Sequence, residues 1–165
     1  SRSKNLQFLL AVTALLNRQQ STTLTIVGAP VTEGDKQYQN ELQQYIEDQQ
    51  LTAVVAWAGA VSQANLPAHL AAAGVFVHAA HNGSLDKALL EPLAMGIPLI
   101  TSAPGAASLP LGGWYVPNAT PETFATAVQE VLQSSHLEPS HELREYILKQ
   151  HSLHALIPKI LQQYD

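Results

Sequence analysis

The chain has 165 residues and a formal net charge of −5, long enough for one domain with its own core and of the wrong sign for a general phosphate-backbone binder. With 46% hydrophobic and 13% charged residues it is not a disordered chain, and no basic run interleaved with aromatics marks a nucleic-acid surface. Cysteine is absent, which removes disulfides, thiol nucleophiles and cysteine-held zinc.

In chain order, Ser1-Arg2-Ser3-Lys4 runs straight into a helical apolar face from Leu6 to Leu16, with Lys4 and Asn5 at its start, and reads as a cut through a longer protein. Thr23 to Val27 is β-rich and ends at the turn Gly28-Ala29-Pro30. Glu33 to Gln50 is polar, with Tyr38, Leu42, Tyr45 and Ile46 at helical spacing, as on a surface helix. A second strand follows from Ala53 to Trp57, closed by Ala58-Gly59, then a helix from Leu66 to Ala73 and a third strand from Val75 to Val77. Ser84 to Met95 is helical, with Ser84 as N-cap and Gly96 in the place of a terminating glycine. Pro98 to Thr101 gives a fourth strand, Trp114 to Val116 a short fifth, and Pro121 to Leu132 a helix capped by Thr120. Two helical stretches close the chain, at Glu142 to Lys149 and Leu153 to Tyr164.

Apolar strands alternating with helices predict an α/β fold: a doubly wound, Rossmann-like parallel sheet flanked by helices, in a single domain spanning residues 1–165. Ligands in such sheets sit beyond the carboxyl ends of the strands. That rule selects Gly28-Ala29-Pro30, Ala58-Gly59, His78 to Ser84 and Ser102 to Gly105 as rim loops.

The richest stretch is Gly74 to Thr101. A helix start offers free N–H groups and partial positive charge to a phosphate or hydroxyl, and Gly83 allows close backbone approach. The same Gly83-Ser84 pair also serves as a plain turn and cap. Asp86 falls in the first helical turn, where an acid complements the dipole; beside a diphosphate it must point away, with Lys87 offsetting its charge. Glu91 is the sharper signal, the one acid on the inner part of an apolar helix. A carboxylate there suits a cis-diol such as ribose, although a solvent-facing glutamate gives the same letter. Pro92 removes a backbone bond beside it. His78 and His81 lie near the rim and His151 and His154 share a helix face, but two histidines without a third ligand are a poor metal signal. No G-x-S-x-G elbow, phosphate loop or G-x-G-x-x-G pattern occurs.

On these residues the chain resembles the C-terminal, donor-binding domain of the group 1 glycosyltransferases, retaining enzymes of the two-domain GT-B fold. The resemblance covers Arg2 to Leu132 in order: Lys4-Asn5 before an apolar helix, Leu24 to Pro30 (LTIVGAP), the stretch from Trp57 to Ala80, and most specifically Gly83 to Thr101 (GSLDKALLEPLAMGIPLIT). It implies that Glu91 binds the donor ribose, that Lys4 contacts the diphosphate with Arg2 as a weaker candidate, and that Gly28, Trp57 and Ala58 meet the base. Backbone amides from Ser84 to Lys87, including Leu85 and Asp86, would cradle sugar and phosphates. Lys4 and Glu91 are the residues it assigns to catalysis. Gly83 stands where the family usually has a first glutamate near the reacting centre, which puts a carboxylate there in doubt.

The activity implied is transfer of a sugar from a UDP- or GDP-linked donor to an acceptor with retention, with no further cofactor and no metal. The acceptor site would lie on a missing N-terminal domain, the first strand of this half would be truncated, and the fragment alone would be inactive. Residues 138–165 would form C-terminal helices, their docking loose or rearranged without their partner. Alternatives are a GT-B-fold nucleotide-sugar epimerase half, or a catalytically silent nucleotide-binding or scaffolding module. Lack of a signal peptide or membrane-length apolar run points to the cytoplasm, with any contact at the inner face of the membrane made through the missing domain.

Overall fold

Capping chemistry and apolar spacing set the helices. The computed structural model describes residues 1–81, 83, 85–134 and 141–162. A 3-10 turn over Arg2–Lys4 leads through Asn5, in left-handed backbone conformation, into α1 (Leu6–Asn17). Strand β1 (Leu24–Val27) is followed by α2 (Glu33–Asp48), which starts on a capping box between Thr32 and Asp35. Then come β2 (Val55–Gly59), α3 (Leu66–Ala71), β3 (Phe76–His78), α4 (Lys87–Ala94) and β4 (Leu99–Thr101). The chain ends in α5 (Pro121–Gln133), α6 (His141–His151) and α7 (Leu153–Leu161). Thr120 caps α5 with Pro121 at its first position, as the sequence predicts.

Every strand pairing is parallel. β1 pairs with β2, Leu24 opposite Val55, and β3 pairs with β4, Phe76 opposite Leu99. Among the described residues these form two separate two-stranded sheets. The expected fifth strand is reduced to one bridge between Thr101 and Tyr115, because Gly112–Trp114 is taken up by a 3-10 turn.

Helix α1 ties the halves together. Its Leu9, Val12 and Leu16 pack with Ile100 and with Phe124, Val128 and Val131 of α5, while Leu10 joins Ile26 of β1 and Tyr38, Leu42 and Ile46 of α2. On the opposite face of β4, Leu99 meets Leu89 and Leu93 of α4. The β3–β4 pair is therefore covered on both sides. The β1–β2 pair leaves Thr25, Val27 and Ala56 exposed.

The C-terminal helices differ from one another in how they dock. α6 buries Leu143 and Ile147 against Leu89 and Leu93, and the Arg144 Nε donates to the Ala94 carbonyl at 2.8 Å. A cation on an orphan carbonyl at the end of α4 also complements its dipole. That docking is firm, whereas α7 exposes Leu153, Ile157, Ile160 and Leu161. Among the described residues no helix is long and apolar enough to cross a membrane.

Candidate functional site

The carboxyl ends of the strands gather two groups of the sequence-predicted residues, and Lys4 belongs to both. The first group lines a cleft of about 260 Å³ beyond β1 and β2, bounded by Lys4, Val27, Gly28, Pro30, Asp35 and Trp57 among others. Gly28 has φ of 132°, a backbone conformation that side chains resist, and its N–H donates to the Gly59 carbonyl at 2.8 Å. That bond carries the β1–β2 pairing up to the rim and leaves the glycine as cleft wall. The Trp57 indole Nε1–H is buried and without a hydrogen-bond partner, a donor whose burial is unfavourable by about 1–3 kcal/mol. Ala58, half-buried, lies within β2, because the strand runs two residues further than the sequence predicts. Asp35 is committed to capping: its carboxyl is held down to about 2, first by the Thr32 hydroxyl and then by the Thr32 N–H.

The second group sits at the start of α4, and here the predicted arrangement is corrected. The helix begins at Lys87 rather than Ser84, with Asp86 as N-cap and its carboxylate accepting from the Ala88 N–H at 3.1 Å. Asp86 is thus outside the first turn, since capping requires an extended residue just before the helix. Nor does it stand apart with Lys87 as its counter-ion. Its carboxylate pairs with Lys4 across 82 positions of sequence, and Lys87 pairs instead with Glu91 at 3.3 Å. Ser84 lies outside the described residues. Leu85 is half-buried and Gly83 exposed, with open space where a Cβ would stand.

Glu91 sits one turn into α4 with its side chain about a third exposed (32%). The ion pair with Lys87 relieves the desolvation that marked it in the sequence. Glu91 does not line the cleft that Gly28 and Trp57 bound. Pro92 is buried, and its carbonyl accepts from the Ile97 N–H while Leu93 accepts from Gly96, a Schellman close with Gly96 at φ of 77°. Arg2 is turned away: it forms a two-pronged bond to Glu41 of α2 and lies over the Tyr38 ring, leaving Lys4 as the cation at the rim.

His78 is the residue that sequence reasoning left unassigned. It closes β3, is 6% exposed, and its Nε2 lies 3.3 Å from the Asp86 carboxylate while Nδ1 lies 3.4 Å from the Thr101 hydroxyl. Thr101 is itself fully buried and accepts from the Ala103 N–H. A signal existed: one histidine ends an apolar strand (VFVH) at the rim, eight positions before an aspartate that precedes an apolar helix. His81 is exposed and its N–H donates to the Ser3 carbonyl. His151 and His154 lie far along the chain on α6 and α7. Among the described residues no cluster of three or more His, Asp or Glu side chains is placed to hold a metal.

Burial pushes the Asp86 carboxyl upward, but the Lys4 and Ala88 hydrogen bonds, the Lys4 charge and His78 outweigh it and hold the group at about 2. Its folded value is below the ordinary 3.8, so its contribution is complete above about pH 4 and is lost as pH falls toward 2. Urea melts of the protein and of Asp86→Asn should differ by roughly 2 kcal/mol near pH 5 and converge near pH 2. A gap that stays constant across that range would mean that these bonds and charges together do not hold the carboxylate in its ionised form.

A cation, a capped helix start and a glycine turn, gathered at the carboxyl rim of parallel strands, define a Rossmann-like domain of the kind that forms one half of a GT-B glycosyltransferase. The chain belongs to the group 1 glycosyltransferases: the family model for glycosyl transferases group 1 matches residues 1–134. No curated protein sequence matches the chain. Its fold is that of HepE from Anabaena, solved with UDP-glucose: TM-score 0.86 at 18% identity, over 99% of this chain and 46% of that one. Sucrose-phosphate synthase from Thermosynechococcus elongatus gives 0.82 at 22% identity over 99% of this chain and 42% of that one. The C-terminal domain of the group 1 family protein LpcC from Francisella tularensis gives 0.79 at 16% identity over 93% and 82%. The chain thus spans about half the length of the two whole enzymes, HepE and sucrose-phosphate synthase.

Proposed function

We propose that this domain is the donor-binding half of a retaining glycosyltransferase, holding a nucleoside diphosphate sugar at its carboxyl rim while a second domain presents the acceptor. Lys4 carries the reading. Its side chain both lines the cleft beyond β1 and β2 and pairs with Asp86 at the start of α4. A nucleoside diphosphate bound there sets its diphosphate on Lys4, its base toward Gly28, Trp57 and Ala58, and the ribose that links the two toward Glu91.

The chemistry asked of the domain is electrostatic. As the glycosidic bond breaks, the leaving diphosphate gains negative charge, and a preorganised ammonium stabilises that charge more in the transition state than in the ground state. Backbone N–H groups from Leu85 to Lys87 add to the same field. The donor is UDP- or GDP-linked, with UDP favoured because HepE binds it. Acceptor contacts belong to the second domain, so the fragment binds donor and transfers no sugar. The exposed apolar side of α7 (Leu153, Ile157, Ile160, Leu161) is the surface offered to that domain. The division into two small sheets supports a further strand between β1 and β3, packed on α1, that would make them one. The enzyme would work in the cytoplasm, at the inner face of the membrane where the second domain binds it.

A silent nucleotide-binding module is the second reading. It is favoured by Gly83, which supplies no carboxylate beside the reacting centre, and by the engagement of Arg2 with Glu41.

Calorimetric titration with UDP tests the ribose assignment. Glu91→Ala should weaken binding roughly tenfold or more, the loss of a charge-assisted hydrogen-bond pair. Since the Lys87 pair is a surface one, stability should fall by no more than about 1 kcal/mol. Unchanged affinity would remove Glu91 from the site.

A further inference from the structure

The sequence Lys4–Asp86–His78–Thr101 is a continuous chain of contacts drawn from four elements: the segment before α1, the cap of α4, the end of β3 and the end of β4. The donor role of Lys4 does not require the last two. Thr101 and His78 are buried, and Asp86 is mostly so at 15% exposure, while the Lys4 side chain is 44% exposed. A buried chain that ends on one exposed cation is built to hold that cation.

We propose that Asp86 is the positioning residue for Lys4 and that His78 is a proton acceptor coupled to it, so that binding of a nucleoside diphosphate at Lys4 is accompanied by proton uptake on the His78 ring. The proposal rests on the donor reading and adds to it a regulation by pH.

The hydrogen-bond inventory fixes the starting state. Thr101 accepts from the Ala103 N–H, so its own hydroxyl hydrogen is free to point at His78 Nδ1. The ring is then neutral with its hydrogen on Nε2, donating to the Asp86 carboxylate. The charged groups that act on the ring are Asp86 from the cap of α4, which favours the imidazolium, and Lys4 from the segment before α1, which opposes it. Thr101 from β4 is uncharged. The His81 N–H donates to the Ser3 carbonyl, and Lys87 is engaged with Glu91. Burial comes first among the causes and, with Lys4, keeps the ring below the ordinary histidine range despite Asp86.

A diphosphate changes two of these influences together. It draws the Lys4 ammonium toward itself and brings two or more negative charges to the rim, so the field at His78 turns from opposing a proton to favouring one. The proton comes from solvent and lands on Nδ1. The Thr101 hydroxyl turns to accept it, and the imidazolium then balances Asp86 in place of the departed lysine. Ligand affinity must rise as pH falls through the window between the free and bound values of the ring.

The test is UDP titration of the folded protein in two buffers of different ionisation enthalpy, cacodylate and Bis-Tris, near pH 6.5. UDP itself titrates in this range, so the quantity read is the difference between wild type and His78→Gln, in which that contribution cancels. Wild type should take up roughly half a proton more per UDP, and its affinity should rise severalfold between about pH 7.5 and 6 where the variant's rises less. Equal proton counts overturn the proposal while leaving donor binding intact. Absence of any UDP binding by the folded wild type overturns the donor reading and this proposal with it. Should His78→Gln fail to fold, NMR titration of the His78 imidazole without ligand decides: Lys4→Met should raise its midpoint, and an unmoved midpoint overturns the coupling.

Discussion

Lys4→Met is expected to reduce UDP affinity by about tenfold to a hundredfold at neutral pH, with little loss of stability. A hydrogen bond from an ammonium to phosphate contributes roughly 1.5–3 kcal/mol, which by itself spans that range. The variant also leaves the Asp86 carboxylate without its cation beside an incoming diphosphate, and that repulsion adds to the loss. Stability is a different matter. The lysine side chain is nearly half exposed, so the pair itself contributes little, about 0–1 kcal/mol. Asp86 keeps its bonds from Ala88 and His78 and goes on capping α4. Affinity unchanged within twofold, on protein that melts normally, would remove the diphosphate from this rim.

The largest effect on folding is expected at Phe124, whose removal leaves a hole at the junction of α1 and α5. Its ring is fully buried and meets Phe8 edge to face at 5.4 Å, surrounded by Leu9, Val12, Leu16 and Ile100. Phe124→Ala should destabilise the domain by about 3–5 kcal/mol, the transfer cost of the ring plus the cavity left behind. For a chain of this size that lowers the melting temperature by roughly 8–15 °C. UDP affinity of the remaining folded protein should change little, because this layer lies behind the sheet and reaches the rim only through Ala79 and Leu6. Phe124→Leu should cost less than half as much. A loss below about 1 kcal/mol for the alanine variant would mean that α5 is not held as described.

Much of this fold is legible in the sequence because burial and capping act locally. Gly96 ends α4, Thr120 and Pro121 start α5, and Leu24 to Val27 pairs as a parallel strand, each where the pattern of residues places it. What the pattern misreads depends on contacts between distant segments. Asp86 reads as a first-turn acid until Lys4, far away in sequence, is seen on its carboxylate. The docking of α6 turns on Arg144 reaching the Ala94 carbonyl, which no periodicity encodes. Trp114 to Val116 reads as a strand from its bulky residues, but Gly112 and Gly113 allow a turn that consumes the first of them. For the site, the family resemblance selects Lys4, Gly28 and Trp57, which the fold brings to one cleft. Arg2 shows the converse, since a cation near the rim in sequence is drawn off by Glu41 and Tyr38.

The central claim is that one nucleoside diphosphate spans the cleft at Gly28 and the helix start at Asp86, joined by Lys4. Titration of 15N-labelled protein with UDP, followed by amide shifts, tests it directly. The account predicts saturable shifts that include Lys4, Gly28 and the Asp86–Lys87 pair together. Shifts confined to one of those places, or to α6 and α7, would contradict it.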